Sequence, residues 1–215
     1  MISQKCILCN SDSIFPLIIK NKRSFIRCGN CELIFVPKDH HLSRADEISR
    51  YRLHENTLSN QGYVNTFLEK ISIIKKHCQG IHSVLDYGCG PEPVLAELLR
   101  KEGFECGIYD PNFFPELPEK TYDLVISTEV FEHFRDLLDE FHKIPSYLKP
   151  GGYLAIMTSF HDAVADLESW WYMNDTTHIC FFSKQTFEYI ADNFGFKIIY
   201  TNYKNFIILK NDLPG

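Results

Sequence analysis

The chain has 215 residues, of which 45% are apolar and 23% charged, with a formal net charge of −6. That is one domain with a small addition, and the composition excludes a disordered chain. No apolar run reaches the ~18 residues of a membrane helix, the opening MISQKCILCN lacks the apolar stretch of a secretion signal, and the acidic balance weighs against nucleic acid, so a cytoplasmic protein is expected.

The first element is built around cysteine. Four of the eight cysteines form two C-x-x-C pairs, Cys6/Cys9 and Cys28/Cys31, separated by 18 residues. Each pair brings two thiolates to one side of a tight turn, and two pairs supply a tetrahedral sulfur shell suited to Zn²⁺. Two disulfides are the alternative, which a reducing compartment disfavours. A closed shell of four protein ligands is structural rather than catalytic. A segment of about 40 residues needs such a staple because it builds too little core alone. The intervening FPLIIKNKRSFIRC reads as a hairpin with Asn21-Lys22 near its turn. The whole resembles a zinc ribbon over residues 1–40. Six Lys/Arg against three Asp/Glu make this segment +3, leaving −9 on the rest. The basic hairpin is either a solvated face or a small contact surface.

Residues 41–80 form a helical lead-in. There Val64, Phe67, Leu68, Ile71 and Ile74 recur at helical spacing on one face. The remaining segment, 81–215, alternates strands and helices. Strands are expected at 83–87, 105–109, 122–127 and 153–158, and helices at 93–103, 136–148 and 187–194. A terminal hairpin is expected over 196–202 and 206–210. The fold class is therefore α/β with a mainly parallel, doubly wound sheet.

The turn Asp86-Tyr87-Gly88-Cys89-Gly90 between strand and helix points to an adenosine cofactor. Pro93 replaces the third glycine of a dinucleotide fingerprint, and no P-loop is present. A carboxylate at Asp86 repels a pyrophosphate and favours a ligand with an ammonium group. Asp110 ends the second strand, where an acid can bind ribose hydroxyls.

Together VLDYGCGP (84–91), IYDP (108–111), YDLVISTEVFEHF (122–134) and LKPGGYLAIMT (148–158) resemble a class I S-adenosylmethionine (SAM)-dependent methyltransferase over roughly residues 50–212. An N-terminal zinc-binding module also occurs in methyltransferases of this kind. The resemblance implies that Asp86, Gly88 and Gly90 hold the methionine part of SAM and Asp110 the ribose. It places Thr128 and Glu129 at the floor near the sulfonium, with Tyr51 and His54 in the closing lead-in. Two features depart from the family pattern. Glu92 occupies a usual glycine position and narrows the approach. PNFFPELPEKT, with three prolines, is too short for the usual helix and strand. The third strand of the usual order is therefore expected to be missing, with Pro111, Asn112 or Phe113 covering the adenine.

Methyl transfer from a sulfonium relies on positioning, and some acceptors also need a base. The candidate histidines are His54, His133, His161 and His178, with His178 leading and His133 and Glu129 beside it as catalytic candidates. If 129–133 enters a helix, Glu129, Glu132 and His133 share one face. With His178 they resemble the metal set of small-RNA 2′-O-methyltransferases. The other reading of the same residues is a metal-free pocket floor with a histidine base. The aromatic segment containing Trp170, Trp171, Tyr172, Phe181 and Phe182 either caps the substrate or covers the sheet edge. The expectation is a methyltransferase acting on a small molecule. An RNA or protein methyltransferase and a non-catalytic SAM-binding module are the alternatives. Fold-level likeness leaves the acceptor atom and the oligomeric state open.

Overall fold

The structure is a computed structural model that describes residues 4–19, 23–51 and 57–212. The expected turn at Asn21-Lys22 and His54 lie outside the described residues. The cysteine-rich segment forms β1 (Ile14–Leu17), β2 (Phe25–Cys28) and β3 (Ile34–Phe35). The lead-in supplies α1 (Arg44–Tyr51) and α2 (Gln61–His77), the latter capped by the Asn60 side chain on the Tyr63 amide.

The remaining chain runs β4 (Ser83–Tyr87), α3 (Val94–Lys101), β5 (Glu105–Tyr109), β6 (Tyr122–Thr128), α4 (Leu137–Lys143), β7 (Leu148–Met157), β8 (Cys180–Phe181), α5 (Lys184–Asn193), β9 (Phe196–Thr201) and β10 (Phe206–Asn211). A reciprocal Ser183–Thr186 capping box starts α5.

Six strands form the main sheet in the order β5-β4-β6-β7-β10-β9. The first four pair in parallel, and β10 runs antiparallel to both β7 and β9. Every residue of β4 is buried, as a strand covered on both faces requires. The chain passes from Asp110 through a short turn, bridged to Phe114, and straight into β6 without another strand. The prolines leave no room for one.

Two expected boundaries move. The helix expected over 136–148 is an α-helix only to Lys143. A 3-10 turn at Ile144–Tyr147 follows, because Pro145 cannot donate to the helical ladder. The Lys149-Pro150-Gly151-Gly152 run lies inside β7, where a register shift opposite Tyr122 and Leu124 absorbs it.

The cysteine-rich sheet does not stand apart. Its order is β1-β2-β3-β8, so a strand from late in the chain completes it. Ile34 pairs with Phe181 and Phe35 with Cys180. Cys6, Leu8 and Phe25 share one continuous core with Leu85, Val125 and Leu154 of the main sheet. The other sheet face packs Ile71 and Ile74 of α2 and Leu95 and Leu99 of α3 on Val84 and Leu124. No helix among the described residues is long and apolar enough to cross a membrane.

Candidate active site

A cavity of about 930 Å³ opens at the carboxyl ends of β4, β5 and β6. There the chain has passed from β5, on one side of β4, to β6 on the other, which is the switch point where such sheets bind ligands. Asp86, Gly88, Gly90, Asp110, Pro111, Thr128, Glu129 and Tyr51 all line it, as do Asn112 and Phe113.

The two glycines do different work. Gly88 has φ +85°, and a Cβ there would lie 2.5 Å from Val130. Gly90 has φ +68°, and a Cβ there would meet nothing within 4 Å, so it leaves the cradle open. Asp86 is almost fully buried, and its Oδ2 has no hydrogen-bond partner. Burial lifts its pKa to about 7.

Asp110 is more occupied than its sequence position suggests. Oδ2 accepts from the Gly90 amide at 3.0 Å, and Oδ1 from the Asn112 and Phe113 amides at 2.8 and 3.2 Å. That uses three of the roughly four acceptor positions of a carboxylate. The residue therefore shapes the turn and keeps one position for a ligand. Glu92 is exposed and lines the cavity at its rim.

Beyond the glycine turn the cavity is lined by Glu129, His133, Trp171, Asp175 and His178. Glu129 follows β6 directly with φ +54°, and its amide donates to Met157 O at 2.8 Å. This left-handed residue turns the chain, so 131–133 is a single 3-10 turn, and the α-helix on which a shared face for Glu129, Glu132 and His133 depended does not form. Tyr172 OH donates to Glu129 Oε2 at 3.2 Å and lies 3.2 Å from Thr158 Oγ1. Burial, then the neighbouring Glu132, raises the Glu129 pKa well above the carboxylate range.

His133 and His178 face each other with ring centroids 4.9 Å apart. Nδ1 of His133 lies 3.0 Å from Thr177 O, and Nδ1 of His178 lies 2.9 Å from Tyr172 O. Burial, then His133, lowers the His178 pKa to about 3. The Tyr51 ring packs edge-on to His133 at 5.2 Å. His161 is not among the cavity residues; its Nε2 lies 3.0 Å from Glu32 O in the cysteine-rich segment.

A protein-family profile described as "Methyltransferase domain" matches residues 45–201. The chain belongs to this family. No curated protein sequence matches it. One similar solved structure is the complex of a Haloferax volcanii methyltransferase with the Trm112 methyltransferase activator. It has 12% identity and a TM-score of 0.55, over 80% of this chain and 100% of that one. Another is a SAM-dependent methyltransferase from Archaeoglobus fulgidus, at 19% identity and a TM-score of 0.50, over 66% and 91%. At these identities the likeness shows the fold, a class I Rossmann-like methyltransferase.

SAM is the cofactor of this methyltransferase, and the residues fit it. The unpartnered buried Asp86 oxygen suits an ammonium group, and the open Gly90 cradle admits a ligand against the backbone. The cavity side chains not read from the sequence as site residues include Arg44 and Glu47 of α1, Tyr63 and Phe67 of α2, and Arg135. Arg135 holds α1 in place through Glu47, at 2.8 Å, and Leu42 O, at 2.6 Å.

The cysteines of the methyltransferase gather as their spacing implied. The sulfurs of Cys6, Cys9, Cys28 and Cys31 lie within 4.8 Å of one another. Cys6 and Cys31 are 3.6 Å apart, and Cys9 and Cys28 3.5 Å. Both separations exceed a disulfide bond of about 2.05 Å. They approach the roughly 3.8 Å edge of a tetrahedron with Zn–S bonds of about 2.3 Å. The residues thus fit zinc.

Their sheet also carries the far wall of the cavity. Val36 N donates to Ile179 O at 2.9 Å, and Ile179 N donates to Glu132 O at 2.7 Å. From the hairpin, the Arg23 guanidinium donates to Thr176 O at 2.7 Å, Asp175 O at 2.9 Å and His178 O. No local motif marked Arg23.

Proposed function

We propose that this methyltransferase transfers the SAM methyl group to a small-molecule acceptor seated among Glu129, Trp171, His133 and His178. In this reading residues 1–40 are a zinc ribbon on Cys6, Cys9, Cys28 and Cys31. Residues 41–80 are a helical cap, and 81–215 form the SAM-binding body.

The observation that carries the acceptor class is the wall of the cavity. Among the described residues it brings eight carboxyl groups, those of Glu47, Asp86, Glu92, Asp110, Glu129, Asp136, Glu140 and Asp175, against the guanidiniums of Arg44 and Arg135; with Asp86 and Glu129, whose pKa values burial raises, left out of the charge, six acids still face two cations. A phosphate backbone meets that wall unfavourably, whereas a neutral or cationic small molecule does not. The volume of about 930 Å³ holds a cofactor and a small acceptor together.

Bound SAM supplies an electrophilic methyl group on a good leaving group. The protein then has mainly to position. Asp86, Gly88 and Gly90 receive the methionine end. Asp110 receives the ribose through its free acceptor position, and Pro111, Asn112 and Phe113 cover the adenine. Thr128 and Glu129 floor the reacting end, Tyr51 closes over it, and the two imidazoles orient the acceptor.

Isotopically methyl-labelled SAM, incubated with the protein and a cell extract, tests this. The label is expected in the small-molecule fraction. Label in RNA, with RNA binding that weakens as salt rises, replaces the small-molecule acceptor with a nucleic acid. Calorimetry that detects no binding of SAM or S-adenosylhomocysteine ends the methyl-transfer reading altogether.

A further inference from the structure

We propose that Tyr172 positions Glu129 as the group that takes the proton of the acceptor, and that the acceptor is a hydroxyl or an amine carrying that proton. The inference rests on the methyl-transfer reading above. Tyr172 is wholly buried, whereas Trp171 beside it is 68% exposed at the cavity. The Tyr172 ring stacks on Trp170 with centroids 5.1 Å apart and lies 4.1 Å from the ring of His178. Rings packed on both sides fix where the hydroxyl points.

The direction of each hydrogen bond follows from the donors present. A phenol has one proton to give and lone pairs that accept. The Ser159 amide donates to the Tyr172 oxygen at 3.4 Å, and the Thr158 hydroxyl, at 3.2 Å, fills the second acceptor position. The phenol proton is left for Glu129 Oε2, also at 3.2 Å. The carbonyl of Tyr172 meanwhile accepts from Nδ1 of His178 at 2.9 Å. One residue thus holds both the carboxyl and the imidazole that face the acceptor.

Glu129 itself is marked twice. It is a non-glycine residue at φ +54°, a strained conformation of the kind that persists where a site requires it, and its side chain lines the cavity. Burial and Glu132 raise its pKa while the Tyr172 donor lowers it, which brings the carboxyl closer to the working range of a base than an ordinary glutamate. Glu132, wholly buried, lies beside Glu129, Tyr172 and Thr158. The other titratable neighbours are His133 on the same turn, His178 behind Tyr172, and Tyr63 of α2. His178 is the poorer base: burial, then His133, lowers its pKa to about 3, so its ring accepts a hydrogen bond without keeping the proton. In the transfer, the lone pair on the acceptor oxygen or nitrogen forms the new bond to the methyl carbon, and the acceptor proton passes to the Glu129 carboxylate. The pair of the broken C–S bond stays on sulfur.

Tyr172→Phe removes the hydroxyl and keeps the ring and the backbone. The full chain, carrying ¹³C at its glutamate carboxyls, is titrated by NMR, with Glu129→Gln assigning the resonance. Glu129 is expected to titrate above the other glutamates, and Tyr172→Phe to move its midpoint up by about one pH unit, because a lost donor disfavours the charged form. Affinity for S-adenosylhomocysteine should stay within about threefold. Label from methyl-labelled SAM should enter the small molecules of a cell extract about tenfold more slowly near pH 7, with the deficit narrowing as pH rises. An unmoved Glu129 midpoint in folded Tyr172→Phe that still binds S-adenosylhomocysteine overturns the positioning role and leaves the methyl-transfer reading intact. A labelled product with its new methyl on carbon overturns the hydroxyl or amine. Where the variant fails to fold, the wild type decides: a Glu129 that titrates with the surface glutamates overturns the proposal.

Discussion

Arg23→Ala is the sharpest test of how the cysteine-rich hairpin acts on the active site. The guanidinium spans three carbonyl partners, those of Asp175, Thr176 and His178, across 155 residues of sequence to the last. Hydrogen bonds to a charged donor contribute about 1.5–3 kcal/mol each. Burial opposes them, since it lowers the pKa of Arg23 to about 10. The net loss on truncation is expected to be about 2–4 kcal/mol, or about 30- to 800-fold in the docking equilibrium of residues 175–178. Hydrogen exchange reads it directly. The His178 amide, bonded to Asp175 O, and the Ile179 amide, bonded to Glu132 O, should exchange faster by that factor. Turnover should fall with them. SAM affinity should change little, because Arg23 is not among the cavity residues. Arg23→Lys should recover less than half of the loss, since an ammonium lacks the planar fork. Unchanged exchange at His178 and Ile179 would refute the claim that this hairpin positions the wall.

Three further outcomes are expected. Asp86 holds its proton more tightly in the folded protein, with its pKa raised from 3.8 to about 7, so stability falls as pH rises through that window and the cost is complete above it. Asp86→Asn should therefore flatten the dependence of Tm on pH between about 4 and 7 while weakening SAM binding, as thermal scans and calorimetry would show. Gly88→Ala and Gly90→Ala form a matched pair. The first collides with Val130 and should cost on the order of 2–3 kcal/mol in denaturant titrations. The second should cost only about 1 kcal/mol in stability but weaken SAM binding at least about tenfold; equal effects from both would contradict the roles given to them. If the four cysteines hold zinc as proposed, Cys28→Ser or chelation should lower Tm and also speed hydrogen exchange at residues 179–181, because β3 pairs with β8. Full turnover after the metal is lost would show that the ribbon and the active site are independent.

The sequence by itself determined what depends on short spacing. Two C-x-x-C pairs predicted the four-sulfur cluster, Asp86-Tyr87-Gly88-Cys89-Gly90 predicted a glycine turn that lines the cavity after β4, and three prolines in PNFFPELPEKT predicted a sheet one strand short. Each of these is a local constraint on the backbone, readable wherever it occurs. A helix at 129–133, the condition on which Glu129, Glu132 and His133 would share one face, does not form, because Glu129 adopts a left-handed conformation while its amide bonds to β7 at Met157, far along the chain. Only the tertiary structure decided that β8 would complete the cysteine-rich sheet and that Arg23 would reach the 175–178 carbonyls, whereas the meeting of His178 with Glu132 and His133 was already implied by the family resemblance. Those residues lie far apart along the chain, and no periodicity links them. Strand pairing and the packing of one shared core bring them together, and neither is encoded in any single segment.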